Sequence, residues 1–169
     1  NPDLATYAKA LGNGYPVAAF GGKREVMSII GHGVSQGGTY TNNKPGVAAA
    51  YATLKLMQEK PILKTIEKRG KRLMDGLKEI FEDNDIPVVF SGYPAMFSFA
   101  FGVDKVTCQR DWAQSDQELY LKLVEAAIQR GVMPDHDARE PWFLCYSHSE
   151  ADIDETLNVY AEIVKEAKK

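Results

Sequence analysis

Over residues 95–101 the chain alternates, with Phe97, Phe99 and Phe101 on one side and Ser98 on the other. Period-two alternation marks a strand with one face in a core. Three phenylalanines on one face demand cover, and the flanking sequence offers it as helices. Ahead of the strand, Ile66, Gly70, Leu73, Leu77 and Ile80 recur at helical spacing after a start at Pro61. Lys and Glu fill the opposite, solvated face of that helix, and residues 83–85 (Asp-Asn-Asp) break it. Behind the strand, Ser115 and Glu118 form a capping-box signature for a helix that runs to Arg130 and stops at Gly131. Ser149 and Asp152 open a last helix, with Ile153, Leu157, Tyr160 and Val164 inward. Residues 86–90 and 142–146 read as two more strands, and residues 103–114 as a loop. Helices interleaved with short strands make the fold class α/β.

Residues 1–45 have a different texture, rich in Gly, Asn and Thr. Eight glycines between Gly12 and Gly38 mark turns and close approaches of backbone. Pro16-Val17-Ala18-Ala19-Phe20 reads as a buried strand, and residues 23–30 as a short helix. From Pro45 the spacing becomes helical, through Val47, Ala50, Tyr51, Leu54 and Met57. The helix break at residues 83–85 divides the chain into residues 1–84 and residues 85–169.

At 169 residues the chain is about one domain, or two small ones. Its formal net charge of −3 lacks the basic footprint of a general nucleic-acid binder. A hydrophobic share of 44% excludes a disordered tail. No apolar run reaches the ~18 residues of a membrane span. The cysteines, Cys108 and Cys145, are isolated. With no signal-peptide pattern in the opening residues, they give the expectation of a reducing compartment, the cytoplasm. His32 and His136 have no ligand-spaced partners, so no metal site is expected.

The densest chemical signal is residues 3–16, DLATYAKALGNGYP. Lys9 sits among small and apolar residues just before Gly12-Asn13-Gly14. A lysine in such surroundings loses its proton more easily than one in water, and a neutral amine is what Schiff-base chemistry needs. On spacing alone, a surface lysine ahead of a loop is the simpler reading.

The segment PDLATYAKALGNGYPVAAFGG resembles the lysine motif of class III (fold type I) pyridoxal-phosphate aminotransferases, and within them the glutamate-1-semialdehyde 2,1-aminomutase group. Lys9 falls on that family's Schiff-base lysine. A second stretch, Gly37-Gly38-Thr39-Tyr40-Thr41-Asn42-Asn43, resembles the family's phosphate loop, which typically serves the neighbouring subunit of a dimer. The resemblance implies phosphate contacts from Thr39 and Gly38. Asn42 departs from a common Gly there, and Lys44 is an added residue before Pro45. A third stretch, residues 139–157, resembles the family's last strand and helix.

The resemblance implies the later part of a family chain, in the fold of pyridoxal-phosphate-dependent transferases of fold type I. Residues 1–84 would end the large cofactor domain with its connecting helices. Residues 85–169 would form a small C-terminal domain with a short, mostly antiparallel sheet. The family's other cofactor contacts, which precede the lysine, fall outside these residues. The implied activity is amino-group transfer through a Lys9 Schiff base, by an aminotransferase or an aminomutase. The implied cofactor is pyridoxal 5'-phosphate, the substrates are small amino and oxo compounds, and the assembly is a homodimer or higher. A non-catalytic module that folds and oligomerises without cofactor is the alternative.

The remaining candidates are weaker. Arg139 can fork onto a substrate carboxylate, although a structural salt bridge is the plainer role. Tyr40 can reach a cofactor region. His148 reads as a residue that sets the start of the last helix. Trp142 and Phe143 read as core, and Lys64, Lys68, Arg69, Lys71 and Arg72 as a helix face.

Overall fold

The computed structural model describes residues 1–167. They fall into two compact units, Asn1–Pro61 and Ile62–Lys169. Each has its own logic.

In the second unit, β3 (Val88–Tyr93), β4 (Met96–Phe101) and β5 (Trp142–Phe143) form an antiparallel sheet with β4 in the middle. A two-residue turn, Pro94-Ala95, joins β3 to β4 and sets Tyr93 opposite Met96. Helices α3 (Ile62–Glu82), α5 (Gln117–Ile128) and α6 (Glu150–Ala167) build the rest of the core. The expected alternation holds: Phe97, Phe99 and Phe101 are all buried, while Ser98 is only half-buried. Phe99 is the hub. Its ring lies 5.5 Å from Phe81, 5.4 Å from Phe90, 5.5 Å from Phe101, 5.7 Å from Tyr120 and 5.4 Å from Trp142, in tilted or edge-on arrangements that suit aromatic quadrupoles. Leu73, Leu77 and Phe81 from α3 meet Ile153, Tyr160 and Val164 from α6 in the same cluster. Gly70 is buried on α3 because a Cβ there would run into the Pro94 carbonyl. Only glycine lets the helix approach the hairpin turn so closely.

The helix ends follow backbone accounting. α3 stops where Asp85 turns left-handed (φ 53°), with Asp85 N–H bonded to Glu82 O at 3.0 Å and Ile86 N–H to Phe81 O at 2.9 Å. α5 stops the same way at Gly131 (φ 86°), with Gly131 N–H on Ile128 O and Val132 N–H on Ala127 O. α6 starts with a reciprocal box: Ser149 N–H donates to Asp152 Oδ2 at 2.6 Å, and Asp152 N–H donates to Ser149 Oγ at 3.2 Å. The Ser149 donors hold the Asp152 carboxyl below its ordinary range.

Several expectations shift. The start of α5 is capped by Asp116, whose side chain accepts Leu119 N–H at 2.9 Å, and not by the Ser115/Glu118 pair. Asp116 N–H is tied to Phe101 O at the end of β4, which makes it the last non-helical residue. Ser115 Oγ instead donates to Trp112 O, closing a short helix α4 (Gln109–Trp112) inside the expected loop. β5 is two residues long instead of five, because the chain turns after Leu144. His148 Nδ1 accepts Cys145 N–H at 3.0 Å, so His148 does shape the approach to the last helix. Of the basic face on α3, Arg69 donates to Tyr146 O and His148 O, while Arg72 pairs with Glu150 and Asp154.

The first unit is built differently. β1 (Leu4–Tyr7) pairs antiparallel with β2 (Ala19–Gly22), placing Leu4 opposite Gly22 and Tyr7 opposite Ala19. The expected buried strand at residues 16–20 lies later and open: Phe20 is 48% exposed. Pro16 lacks an N–H, and the pairing begins only beyond it. Helix α1 (Arg24–Met27) is short, and α2 (Lys44–Glu59) carries Pro in its first turn. The apolar positions of α2 face outward, with Tyr51 67% exposed. Among the described residues of this unit only Gly12 and Gly46 are buried.

Replacing the hub residue, Phe99→Ala, should therefore cost about 3–5 kcal/mol. Urea denaturation followed by far-UV circular dichroism checks it. The midpoint should fall with little change of slope.

Candidate functional site

Lys9 stands two residues beyond the end of β1, as the first residue of a 3-10 turn (Lys9–Leu11). Ala8 before it is still extended (φ −153°), and Lys9 then turns into the left-handed region at φ 52°. A non-glycine residue pays about 1–2 kcal/mol for that conformation. The turn holds it there: Lys9 O accepts Gly12 N–H and Asn13 N–H, both at 3.1 Å, and Tyr15 N–H closes on Gly12 O at 3.0 Å. Asn13 (φ 48°) and Gly14 (φ 103°) are left-handed as well.

The return path explains the buried glycines. Val17 comes back over the turn, and a Cβ on Gly12 would collide with it and with the Tyr15 carbonyl. A Cβ on Gly46 would lie 2.9 Å from Pro16 O and 3.1 Å from Val17 Cβ. α2 thus packs directly on the turn that carries Lys9. The side chain itself is solvent-exposed, and its Nζ has no hydrogen-bond or ion-pair partner among the described residues. The apolar enclosure expected from the neighbouring sequence is not supplied by these residues.

Gly38, Thr39 and Tyr40 lie in the loop that leads into α2. Thr41 N–H bonds to Gly38 O at 3.0 Å and Asn43 N–H to Tyr40 O at 3.2 Å, giving two successive turns. Within the described residues the N–H groups of Gly37, Gly38 and Thr39 meet no backbone acceptor, and Thr39 is exposed. Asn42, at the position where the family resemblance implies a common Gly, adopts φ 62°. Asn is the residue that best imitates glycine there. No hydrogen bond links Lys9 to this loop. Tyr40 is 86% exposed and extends from the loop without a partner among the described residues.

Arg139 belongs to the second unit, and its fork is occupied. Its Nε donates to Asp137 Oδ1 at 2.8 Å and to Oδ2 at 3.0 Å, its Nη2 contacts Oδ2, and its guanidinium stacks 5.6 Å from the Trp112 ring centroid. The side-chain and backbone donors of Arg139 hold the Asp137 carboxyl at about 2. Spacing could not show this pairing, because Asp137 looked like any loop acid.

Among the described residues no group of three or more His, Cys, Asp or Glu forms a metal centre, and no helix is long and apolar enough to cross a membrane.

Comparison with known proteins bears on the same residues. Residues 1–164 match the family described as Aminotransferase class-III. The glutamate-1-semialdehyde 2,1-aminomutases of Desulfitobacterium hafniense strains DCB-2 and Y51 are each 34% identical over 167 residues. Those matches take in 98% of this chain and 39% of each relative, so the chain spans about two fifths of their length. Two solved structures share the fold. The β-phenylalanine aminotransferase of Variovorax paradoxus superposes with a TM-score of 0.87 at 24% identity, over 98% of this chain and 39% of that one. The FumI protein of Sphingopyxis sp. MTA144, determined in its PLP internal aldimine form, gives 0.83 at 23%, over 99% and 37%. The α/β fold is that of pyridoxal-phosphate-dependent transaminases, and the chain belongs to the class-III aminotransferase family.

Proposed function

We propose that these residues serve a pyridoxal-phosphate-dependent aminotransferase or aminomutase. The observation that carries the reading is Lys9. The one lysine on the family's motif is held in a left-handed turn at the end of a strand, with a free amine. Strain of this kind persists where the surrounding structure over-determines it, and it concentrates at functional positions.

The residues present fit the cofactor. Lys9 Nζ is an unpaired primary amine, the group needed to hold an aldehyde covalently. The Thr39 hydroxyl and the free N–H groups of Gly38 and its neighbours are donors of the kind that hold a phosphate. When bound, the cofactor supplies an electron sink for charge left on the substrate carbon. Lys9 supplies the proton chemistry. With the cofactor bound, Lys9 Nζ would be the group that takes the proton from the carbon bearing the nitrogen. These residues fit either outcome, release of an oxo product by an aminotransferase or return of the nitrogen to a neighbouring carbon by an aminomutase.

The remaining assignments rest on the same reading. Residues 1–84 end a large cofactor domain with its connecting helices, the last of which, α3, packs into the core of the second unit, and residues 85–169 form the rest of the small domain. The assembly is a homodimer or higher, a reading favoured by the exposed apolar faces of β1, β2 and α2 and by the projecting Tyr40. Two free thiols are consistent with the cytoplasm. Tyr40 and Arg139 are offered as substrate contacts, and a substrate carboxylate reaching Arg139 must displace Asp137.

Borohydride reduction of the chain after incubation with pyridoxal phosphate, followed by peptide mapping, should place the adduct on the Lys9 peptide. Lys9→Ala should abolish that adduct and leave the circular dichroism unchanged. Labelling spread over many lysines, in both forms, would instead favour a module that binds no cofactor.

The Asp137–Arg139 pair should show in a pH titration. The Asp137 carboxyl ionises at about 2 in the folded chain, against an ordinary 3.8. The contribution of the pair is fully present above pH 3.8 and is lost as pH falls through 2. Carbon-13 NMR of the carboxyl should show that low midpoint, and Arg139→Ala should return it towards the ordinary value.

A further inference from the structure

The second unit contains a cavity of about 480 Å³, bounded by residues 131–135, residues 140–144 and the first turns of α6. That volume suits a small organic ligand. The cavity lining is partly apolar, with Trp142 and Phe143 among it, and also includes four carboxylates, while no Lys or Arg lines it.

The carboxylates are of two kinds. Asp135 and Asp152 are tied to the backbone, through Asp137 N–H at 2.8 Å and Ser149 N–H at 2.6 Å. Glu140 and Glu155 have no hydrogen-bond or ion-pair partner among the described residues. The cations nearby are engaged elsewhere. Arg69 donates to the carbonyls of Tyr146 and His148 and reaches Glu150, and Arg139, whose field Glu140 feels, is held by Asp137. His148 also lines the cavity, with Nδ1 engaged by Cys145 N–H, so Nε2 is the nitrogen left to face a ligand.

A lining that includes the Trp142 indole, together with two carboxylates that have no hydrogen-bond or ion-pair partner among the described residues, suits one ligand chemistry. We propose that this cavity binds a small organic ammonium ion. Its aromatic or branched body rests on the apolar lining around Trp142 and Phe143, and its charge lies towards Glu140 and Glu155. The site lies within the second unit and does not depend on Lys9 or on the cofactor.

The test uses the whole chain without cofactor, titrated with 2-phenylethylammonium chloride and followed by proton–nitrogen NMR. The Trp142 indole N–H and the amides of Gly131 and Thr156 should shift saturably, with half-saturation below about 10 mM. The Glu140→Gln/Glu155→Gln double variant should bind at least about tenfold more weakly while keeping its dispersed spectrum. Added salt should weaken the wild-type interaction. Sodium 3-phenylpropionate, with the same body and the opposite charge, should not bind. Equal binding of the two compounds would overturn the proposal, as would a double variant that binds like wild type or shifts that never saturate. A single glutamine substitution at Glu155 provides the check if the double variant loses its fold.

Discussion

The second unit depends on the burial of one face of β4. Phe97, Phe99 and Phe101 cannot be left in water, and each packed helix meets them with its own apolar stripe. Phe81 of α3 stands edge-on to Phe101 at 4.9 Å, and Trp142 of β5 stands against Tyr160 of α6 at 5.6 Å. This aromatic network sets where each helix lies along the sheet. The polar elements follow from it. Arg69 and Arg72 clamp the turn before α6 only because Leu73 and Leu77 have already placed α3 beside it. Among the described residues, the Tyr160 hydroxyl stays within the network without a hydrogen-bond partner. Burial pushes the Tyr160 hydroxyl far above its ordinary range, so it remains protonated.

The first unit has no such core. Among its described residues the buried positions are glycines, and its large apolar side chains stay open. Its shape comes from the backbone. Lys9, Asn13 and Asn42 are left-handed, and close contacts at Gly12 and Gly46 press Val17 between the Lys9 turn and α2. A segment organised in this way can aim a side chain without enclosing it. That matches what Lys9 shows: a defined backbone and an exposed amine.

The elements of the second unit were legible because each rests on a local signal. Period-two alternation identified β4, helical spacing identified α3 and α6, and Gly131 marked the end of α5. The errors lie where a distant partner overrides the local pattern. Asp116 replaced Ser115 as the cap because its N–H reaches Phe101 O across the unit. β5 stopped early because the His148 ring took up the Cys145 N–H. The apolar run at residues 16–20 misled because its periodicity said nothing of what would cover it. Lys9 and the Thr39 loop were legible only through motif likeness, since spacing alone left Lys9 as a surface residue.

By itself, then, the sequence determined the α/β class, the family, and the residue types available for chemistry: an amine at Lys9 and a hydroxyl with glycines at Thr39. These are properties of local pattern and of composition along the chain. Only the tertiary structure decided that Lys9 is left-handed and exposed, that Asn42 stands in as a glycine would, and that Arg139 is taken by Asp137. The same holds for the cavity, whose lining brings Trp142 together with the carboxylates of Glu140 and Glu155. The physical reason is that strain, pairing and enclosure depend on groups brought together across the fold, and sequence spacing does not encode their distances.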